Sequence, residues 1–285
     1  MALVGVDLGG TSCDGVVLSD KKLIVCRHSV PTRKRKVGDV VETVSSIVQF
    51  FEGKGYEFDS FGLGMPGVYD SASAEIANSN IRVLNGSAFI SQISERVGKK
   101  IAVANDASCF GLSEWQGGAL TGCENAVGLT LGTGVGFSLI LNGALYNGTN
   151  FRAGEWSHTP LPARSAIRPL RRMCHCGSLD CIETYLSGEG FRATVAQNEI
   201  AGETQYASDV WSVLESLHSL LDVEAFALGG GMSELNAIRT QLETLGSQQH
   251  IIAPIKWAKY GKWSGARGAA LLVEKLTPGR TRTTQ

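Results

Sequence analysis

The chain has 285 residues, of which 43% are hydrophobic, and a formal net charge of -1 at neutral pH. This length and hydrophobic content support two globular domains of ordinary size, each with its own buried core. The balanced charge gives no electrostatic reason to expect nucleic acid or an anionic membrane as the main partner, so a small-molecule partner is favoured.

The N-terminal segment predicts a β-hairpin. Residues 2–8 are apolar, residues 9–11 form a Gly-Gly-Thr turn, and a second apolar run ends at Leu18. No basic region precedes the first apolar run and Asp7 interrupts it, so neither a signal peptide nor a membrane span is expected. We therefore expect a cytoplasmic protein.

Helices and strands alternate in the following hundred residues. The apolar spacing of residues 40–51 predicts a helix, and residues 60–65 predict a short buried strand. A further helix is expected over residues 87–97, followed by a strand over 100–104. This alternation is typical of an α/β fold, in which chemistry is placed at strand ends.

The polar residues after the strand at 100–104 have two interpretations. The carboxylate of Asp106, beside Asn105, can accept a proton from a substrate hydroxyl. The same carboxylate can cap a helix that begins near Ala107. Capping and catalysis are compatible, so both interpretations stay open.

The N-terminal hairpin pattern recurs in the second half of the chain. Residues 126–131 and 135–141 are apolar runs on either side of a Gly-Thr-Gly turn, which predicts a second hairpin and two related domains enclosing a cleft. The remaining predicted elements are a helix at 209–221, a strand at 225–228, a helix starting near Ser233, a last helix at 265–276 and a polar tail at 277–285.

Three glycine turns offer free backbone N–H groups to an anion. The first glycine turn is Gly9, Gly10 and Thr11, the second is Gly132, Thr133 and Gly134, and the third is Gly229, Gly230 and Gly231. Asp7 precedes the first turn and suits magnesium beside a phosphate, and a helix N-terminus follows the third. Each alone can be a simple tight turn, but together they predict a nucleotide site.

Two common nucleotide-binding motifs are excluded. Residues 62–67 match GxGxxG formally, but Pro66 and the residues after it do not open a helix, which excludes a Rossmann site. The sequence contains no GxxxxGK[ST] segment, which excludes a P-loop.

One histidine and three cysteines lie close together in sequence, between two glutamates. In order, the residues are Glu155, His158, Cys174, Cys176, Cys181 and Glu183. Thiolate and imidazole ligands suit a closed tetrahedral zinc site, and such a metal would carry the adjacent glutamates into a pocket. A redox site and a zinc finger are the alternatives, although the paired helical histidines of a finger are missing.

The other charged and sulfur-containing residues have simpler interpretations. The basic run at residues 33–36 and the arginines Arg168, Arg171 and Arg172 are expected to be solvated loop charges. The remaining cysteines are dispersed among apolar or small residues, which argues against a disulfide framework. They are Cys13, Cys26, Cys109 and Cys123.

Together these motifs resemble the ROK family of bacterial sugar kinases and repressors, within the actin, hexokinase and Hsp70 superfamily. The resemblance is carried by residues 7–11 (DLGGT), 64–67 (GMPG), 105–106 (ND), 131–136 (LGTGVG), 154–158 (GEWSH), 174–177 (CHCG), 181–183 (CIE), 229–231 (GGG) and 267–270 (RGAA). It implies a two-domain actin/hexokinase-like (ribonuclease H-like) α/β fold with an interdomain cleft. The expected domains are 1–115 plus about 266–285, and a larger domain at 116–265 carrying the zinc site.

Within that family, residues 169–177 and 181–188 look most like those of N-acetylglucosamine kinases. The resemblance implies ATP-dependent phosphorylation of the 6-hydroxyl of N-acetyl-D-glucosamine. N-acetylmannosamine, glucose and fructose are alternative substrates, and a non-catalytic sugar-sensing regulator is the alternative of another class. A repressor of this family would carry an N-terminal helix-turn-helix extension, whereas the hairpin here starts at residue 2.

The resemblance also implies a role for each candidate residue. Asp106 is the implied general base, and Asp7 and the three glycine turns are implied to hold ATP and magnesium. The resemblance also implies a homodimer. The implied sugar-binding residues are Asn80, Asn105, Glu155, His158 and Glu183. The implied zinc ligands are His158, Cys174, Cys176 and Cys181.

The chain departs from the family pattern at four positions. Ser12 replaces the lysine or asparagine common after Gly-Gly-Thr, and Phe137 replaces a third glycine in the second phosphate turn. Ser157 and Asp180 replace glycines before the zinc histidine and the third cysteine. These changes bear on loop geometry and sugar choice rather than on the class of reaction.

Overall fold

The computed structural model describes residues 2–70, 73–149, 152–162, 171–197, 202–248 and 252–276. The predicted tail at 277–285 and Arg168 lie outside these residues. The chain divides into two compact units, a first unit of Met1–Ser113 with Trp263–Gln285 and a second unit of Glu114–Lys262. Within the described ranges, no helix is long and apolar enough to span a membrane.

The described residues form the following elements. The strands are β1 (Leu3–Leu8), β2 (Ser12–Leu18), β3 (Ile24–Pro31), β4 (Ser60–Met65), β5 (Val68–Asp70), β6 (Glu75–Ala77), β7 (Lys100–Asn105), β8 (Ala126–Leu131), β9 (Val135–Leu141), β10 (Ala144–Tyr146), β11 (Ala225–Gly229) and β12 (Ile255–Trp257). The α-helices are α1 (Val37–Gly53), α2 (Phe89–Val97), α3 (Asp106–Trp115), α4 (Glu183–Leu186), α5 (Gly188–Gln197), α6 (Gly202–Leu221), α7 (Asn236–Gln248) and α8 (Ser264–Leu272). Short 3-10 helices span Arg82–Leu84, Glu155–His158, Gly231–Glu234, Gly261–Trp263 and Val273–Leu276.

The first unit contains a mixed sheet in the order β3-β2-β1-β4-β7. β1 pairs antiparallel with β2, which confirms the predicted N-terminal hairpin, and parallel with β4, which pairs parallel with β7. Gly5 lies opposite Val16, so Gly5 and Gly15 face opposite sides of the sheet. A Cβ on Gly5 would lie 2.0 Å from the Ala266 carbonyl oxygen of α8, and one on Gly15 would lie 2.3 Å from Ile47 of α1. Glycine thus lets a helix pack closely on each face.

The register of the parallel strands brings three strand ends to one edge of this sheet. Asp7 of β1 is level with Gly64 of β4, which is level with Ala104 of β7. Asp106 follows directly at the start of α3. After β4 the chain continues into strand β5 and not into a helix, so the rejection of a Rossmann site at residues 62–67 is confirmed.

The second unit repeats this connectivity in the order β10-β9-β8-β11-β12. The antiparallel pair of β8 and β9 confirms the second predicted hairpin, and β11 pairs parallel with β8 and β12. Gly229 pairs with Thr130, so the second and third glycine turns follow neighbouring strands at the same edge. The core beneath this sheet includes the fully buried Tyr206 and Phe226.

Two helix starts in the second unit differ from the sequence predictions. Helix α6 begins at Gly202 and not at Asp209, because the only apolar side chains that its first turns bury are those of Tyr206 and Ala207, and the pattern shows little periodicity. The helix predicted near Ser233 is instead the 3-10 helix Gly231–Glu234, and α7 starts after it. The Ser233 hydroxyl donates to the Gly230 carbonyl oxygen at 2.7 Å and stabilises that tight turn.

Candidate active site

Asp7 lies at the carboxyl edge of the first unit's sheet, with its Oδ1 atom buried and without a hydrogen-bond partner among the described residues. Burial, followed by the negative charges of Asp106 and Asp14, raises the pKa of Asp7 well above its usual value. A Cβ on Gly265 would lie 2.0 Å from Asp7 Oδ2, so glycine makes room for this carboxylate. An unpartnered carboxylate oxygen beside other acids fits a magnesium ion, which prefers oxygen ligands.

Asn105 and Asp106 connect β7 to α3. The Oδ1 atoms of both residues accept the Ala107 N–H, each at 2.9 Å. Helix α3 begins at Asp106, in agreement with the helix predicted to start near Ala107, and Asn105 shares the capping role. Asn105 Nδ2 also donates to the Gly67 carbonyl oxygen at 3.3 Å, which fixes the amide at the sheet edge.

Asn80 is exposed and lies in the loop after β6. This loop contacts Gly67, where a Cβ would lie 2.6 Å from the Ala77 carbonyl oxygen and 2.9 Å from the Ser79 backbone nitrogen. Gly67 is also the residue bound by Asn105. The structure therefore brings the Asn80 loop to the sheet edge that carries Asn105 and Asp106.

The first glycine turn is held by the residues that follow β3. The Thr32 hydroxyl donates to the Gly9 carbonyl oxygen at 2.7 Å, and the Lys34 ammonium donates to the Gly10 carbonyl oxygen at 2.5 Å. Residues 33–36 are exposed, as predicted for a solvated basic run, but Lys34 also places a positive charge on this turn. The basic run was visible in the sequence, but its contact with a turn 24 positions away was not.

The second and third glycine turns pack together in the second unit. Gly230 has φ of +85°, and a Cβ there would lie 2.4 Å from the Leu131 carbonyl oxygen, directly before the second turn. Gly188 N–H donates to the Gly132 carbonyl oxygen at 2.8 Å, and Val135 N–H donates to Glu183 Oε2 at 2.8 Å. Glu183, expected on the sugar side, thus contacts the residue after the second turn.

The Cys/His cluster consists of His158, Cys174, Cys176 and Cys181, whose ligand atoms all lie within 4.8 Å of one another. Cys174 Sγ lies 3.5 Å from His158 Nδ1, and Cys176 Sγ lies 3.7 Å from Cys181 Sγ. A tetrahedral zinc ion would separate a sulfur from a nitrogen ligand by about 3.5 Å and two sulfur ligands by about 3.8 Å. The four side chains therefore fit zinc. All seven cysteines are free in the structure.

His158 joins the cluster to Glu155. Its Nδ1 faces Cys174, and its Nε2 lies 4.0 Å from Glu155 Oε2. Burial lowers the pKa of His158, which favours the neutral imidazole that binds metals. Burial raises the pKa of Glu155, partly opposed by the positive charge of Arg152.

Asp180 and Arg172 brace the loop that carries the cysteines. Asp180 has φ of +58°, a backbone conformation that glycine usually adopts and that aspartate tolerates. Its Oδ1 accepts the Arg172 N–H at 2.9 Å and the Tyr185 hydroxyl at 2.7 Å. The Arg172 guanidinium donates to the carbonyl oxygens of Thr184 and Gly190 at 2.8 and 3.1 Å. The expectation that Arg172 is a solvated loop charge is therefore wrong.

Phe137 and Ser157, the other two residues of this unit that depart from the family pattern, are both buried. Phe137 is buried and stacks edge-on against Trp156, with ring centroids 5.3 Å apart. Ser157 is buried one position before His158. Phe137 packs against the 3-10 helix that carries Glu155 and His158, and Ser157 adds a buried side chain within that helix, so both influence its position.

Comparisons with known proteins agree with one another. The ROK family model matches residues 3–276. An N-acetyl-D-glucosamine kinase of Salmonella paratyphi A is 33% identical over 303 residues, covering 94% of this chain and 98% of the relative. A ROK hexokinase structure from Thermus thermophilus is 26% identical with a TM-score of 0.76, covering 98% of this chain and 100% of that chain. A Streptomyces griseus ROK glucokinase structure in complex with glucose and AMPPNP has 24% identity and a TM-score of 0.80, covering 96% and 100%.

Proposed function

Because the chain belongs to the ROK family, we propose that it phosphorylates the 6-hydroxyl of N-acetyl-D-glucosamine with ATP, releasing N-acetylglucosamine 6-phosphate and ADP. Its α/β fold is the actin/hexokinase-like fold of ROK sugar kinases, as the sequence predicted. Relatives named N-acetyl-D-glucosamine kinase, which are 33% identical over most of the chain, support the choice of sugar.

The observation that carries the proposal is the pair of aspartates at the first unit's sheet edge. Asp7 and Asp106 are close enough for the charge of one to raise the pKa of the other. Phosphoryl transfer needs one carboxylate to hold magnesium and one group to accept the proton of the attacking hydroxyl. Asp7, with its buried unpartnered oxygen, suits the first role, and Asp106 suits the second.

In this mechanism, the chain orients groups and moves one proton. Asp106 accepts the proton of the sugar 6-hydroxyl. The hydroxyl oxygen attacks the γ-phosphorus of ATP, and ADP leaves. Asp7 would hold magnesium, which when bound would supply positive charge to neutralise the phosphates. The N–H groups of the glycine turns bind the phosphate oxygens, since backbone donors in such turns suit anions.

The second unit supplies the proposed sugar-binding carboxylates and the proposed structural zinc site. Glu155 and Glu183 accept hydrogen bonds from sugar hydroxyls, and charged acceptors make these bonds stronger than neutral ones. His158 would offer Nδ1 to zinc and keep Nε2 on the Glu155 side, since Nδ1 lies 3.5 Å from Cys174 Sγ and Nε2 lies 4.0 Å from Glu155 Oε2. Zinc would hold the glutamates in place and take no part in the reaction.

An ADP-release assay with a panel of sugars tests the proposal. We expect the highest kcat/KM with N-acetyl-D-glucosamine, ahead of N-acetylmannosamine, glucose and fructose, and phosphorus NMR should identify a 6-phosphate ester. A higher kcat/KM for another sugar would replace the proposed substrate. A folded, zinc-loaded protein that releases ADP with none of these sugars would refute the kinase assignment and favour a sugar-sensing regulator.

Lys34→Gln is expected to raise the KM for ATP by about fivefold while leaving the KM for the sugar unchanged. The reason is that Lys34 places a positive charge on the first glycine turn, and an exposed charge contributes up to about 1 kcal/mol to an electrostatic interaction. Steady-state kinetics at low ionic strength measure both constants. Lys36→Gln is the matched control, because Lys36 is also exposed and belongs to the same basic run. Equal effects of the two variants would assign the change to net charge alone.

Cys176→Ser is expected to reduce zinc affinity at least about tenfold, because a thiolate ligand is lost. The Tm should fall by about 5 °C, since zinc binding contributes to folding free energy. The KM for the sugar should rise in parallel, because His158 connects the cluster to Glu155. Zinc content, thermal unfolding and kinetics are measured together, with Cys26→Ser as a control outside the cluster. Unchanged zinc content and kinetics would disprove the connection.

A further inference from the structure

We propose that Glu183 is a positioning residue for the second glycine turn, and that it thereby links the Cys/His cluster to nucleotide binding. This inference rests on the proposed function, because it takes the second glycine turn as a site for ATP phosphates. It gives Glu183 a role that is separate from binding the sugar.

The short segment from Glu183 to Gly188 holds the second glycine turn at both ends. At one end, Glu183 Oε2 accepts the Val135 N–H at 2.8 Å. At the other, the Gly188 N–H donates to the Gly132 carbonyl oxygen at 2.8 Å, and a Cβ on Gly188 would lie only 3.3 Å from that oxygen. Glycine residues leave the turn conformationally free, so these two bonds from outside select one conformation.

The segment that holds the turn is itself fixed to the core. The Tyr185 hydroxyl donates to Asp180 Oδ1 at 2.7 Å, and the buried Tyr206 hydroxyl donates to the Leu186 carbonyl oxygen at 2.8 Å. Leu186 and Ile182 have no exposed surface. Helix α4, which begins at Glu183, is therefore supported by the core. A displacement of this helix would move the Glu183 carboxylate relative to Val135.

The Cys/His cluster anchors the start of this support. Cys181 precedes Glu183 by two residues, and its Sγ lies 3.7 Å from Cys176 Sγ and 3.3 Å from the His158 carbonyl oxygen. Ile182 N–H donates to the Thr159 carbonyl oxygen at 2.9 Å. Because only Ile182 separates Cys181 from Glu183, a shift of Cys181 also shifts the Glu183 carboxylate that accepts the Val135 N–H.

The charge of Glu183 distinguishes its role in positioning the second glycine turn from its role in binding the sugar. A carboxylate beside a phosphate-binding turn repels the phosphate, so its benefit to nucleotide binding must come from its position and not from its charge. Glutamine keeps the acceptor oxygen at the same reach without the charge, whereas aspartate keeps the charge but shortens the reach. Nucleotide affinity is therefore expected to follow position, and sugar affinity to follow charge.

The test measures AMPPNP binding by calorimetry without sugar, using the zinc-loaded protein with magnesium. We expect Glu183→Ala and Glu183→Asp to weaken AMPPNP binding at least about fivefold, because both lose the hydrogen bond to the Val135 N–H that positions the turn. Glu183→Gln should stay within about twofold of wild type for AMPPNP while the KM for the sugar rises. Glu189→Ala, an exposed glutamate in the same region, is the matched control and should bind like wild type.

Zinc removal provides a second measurement on the wild-type chain. Chelation should weaken AMPPNP binding, and added zinc should restore it. Wild-type AMPPNP affinity in both Glu183→Ala and Glu183→Asp, together with a raised sugar KM, would overturn the inference and make Glu183 a sugar ligand only. Should no sugar be phosphorylated, the proposed function fails, yet the calorimetry still reports whether Glu183 supports the nucleotide turn.

Discussion

Asp106→Asn is expected to reduce kcat by about 10² to 10⁴-fold while sugar binding is retained. An amide cannot accept the proton of the attacking hydroxyl, but it keeps the size and the oxygen acceptor of the carboxylate. That acceptor matters locally, because Asp106 Oδ1 and Asn105 Oδ1 both accept the Ala107 N–H at the start of α3. ADP release gives kcat, and calorimetry gives the sugar Kd.

The preserved cap makes this result specific to catalysis. Because asparagine can still cap α3, the Tm should stay within about 2 °C of wild type, a change of less than about 1 kcal/mol. Asp20→Asn, an exposed aspartate of the same unit, controls for the loss of one negative charge. Turnover near the wild-type rate in Asp106→Asn would reject Asp106 as the general base.

The sequence predicted the sheet strands that carry the site because their patterns are local. The apolar runs around the first two glycine turns correspond to β1 with β2 and to β8 with β9. A hairpin is specified by two adjacent runs and the turn between them, so no distant contact is needed to recognise it. The matching strand orders of the two sheets followed from the same repeat.

The long-range contacts between side chains and backbone groups at the candidate site could not be predicted from local patterns. Glu183 meets Val135 across 48 positions, and Lys34 meets Gly10 across 24. Periodicity assigns a residue to a helix, strand or loop, but it does not specify which remote backbone group a long side chain reaches. Arg172 was misassigned for this reason, since its partners Thr184 and Gly190 belong to elements folded back onto its loop.

Asp180 shows an intermediate case. At this position, where the family pattern has glycine, the backbone is left-handed, with φ of +58°. The partners of its carboxylate, Arg172 and Tyr185, depend on tertiary structure and could not be read from the sequence. The Asp180 carboxylate therefore braces the loop through contacts that a glycine could not make.

Asp7→Asn is expected to stabilise the metal-free protein at neutral pH while reducing kcat by about 10²-fold or more, because the magnesium ligand is lost. Burial and the charges of Asp106 and Asp14 raise the pKa of Asp7, so the folded state holds this proton after the unfolded state has lost it. The resulting stability is present below the unfolded pKa of about 3.9 and is lost as pH rises through the folded value. Folding at neutral pH therefore costs the wild type either the burial of this charge or the uptake of a proton, and asparagine removes that cost.

Thermal unfolding with and without magnesium tests both parts of this expectation. Without magnesium, the Tm of Asp7→Asn should exceed that of wild type at pH 7, and the difference should shrink as pH falls below the unfolded pKa of about 3.9, where wild-type Asp7 becomes protonated in both states. Magnesium should raise the Tm of wild type and have little effect on the variant, because a ligand that binds the folded state stabilises it. A variant less stable than wild type at pH 7 without magnesium would show that Asp7 is structural. A magnesium effect of equal size in both proteins would place the ion elsewhere.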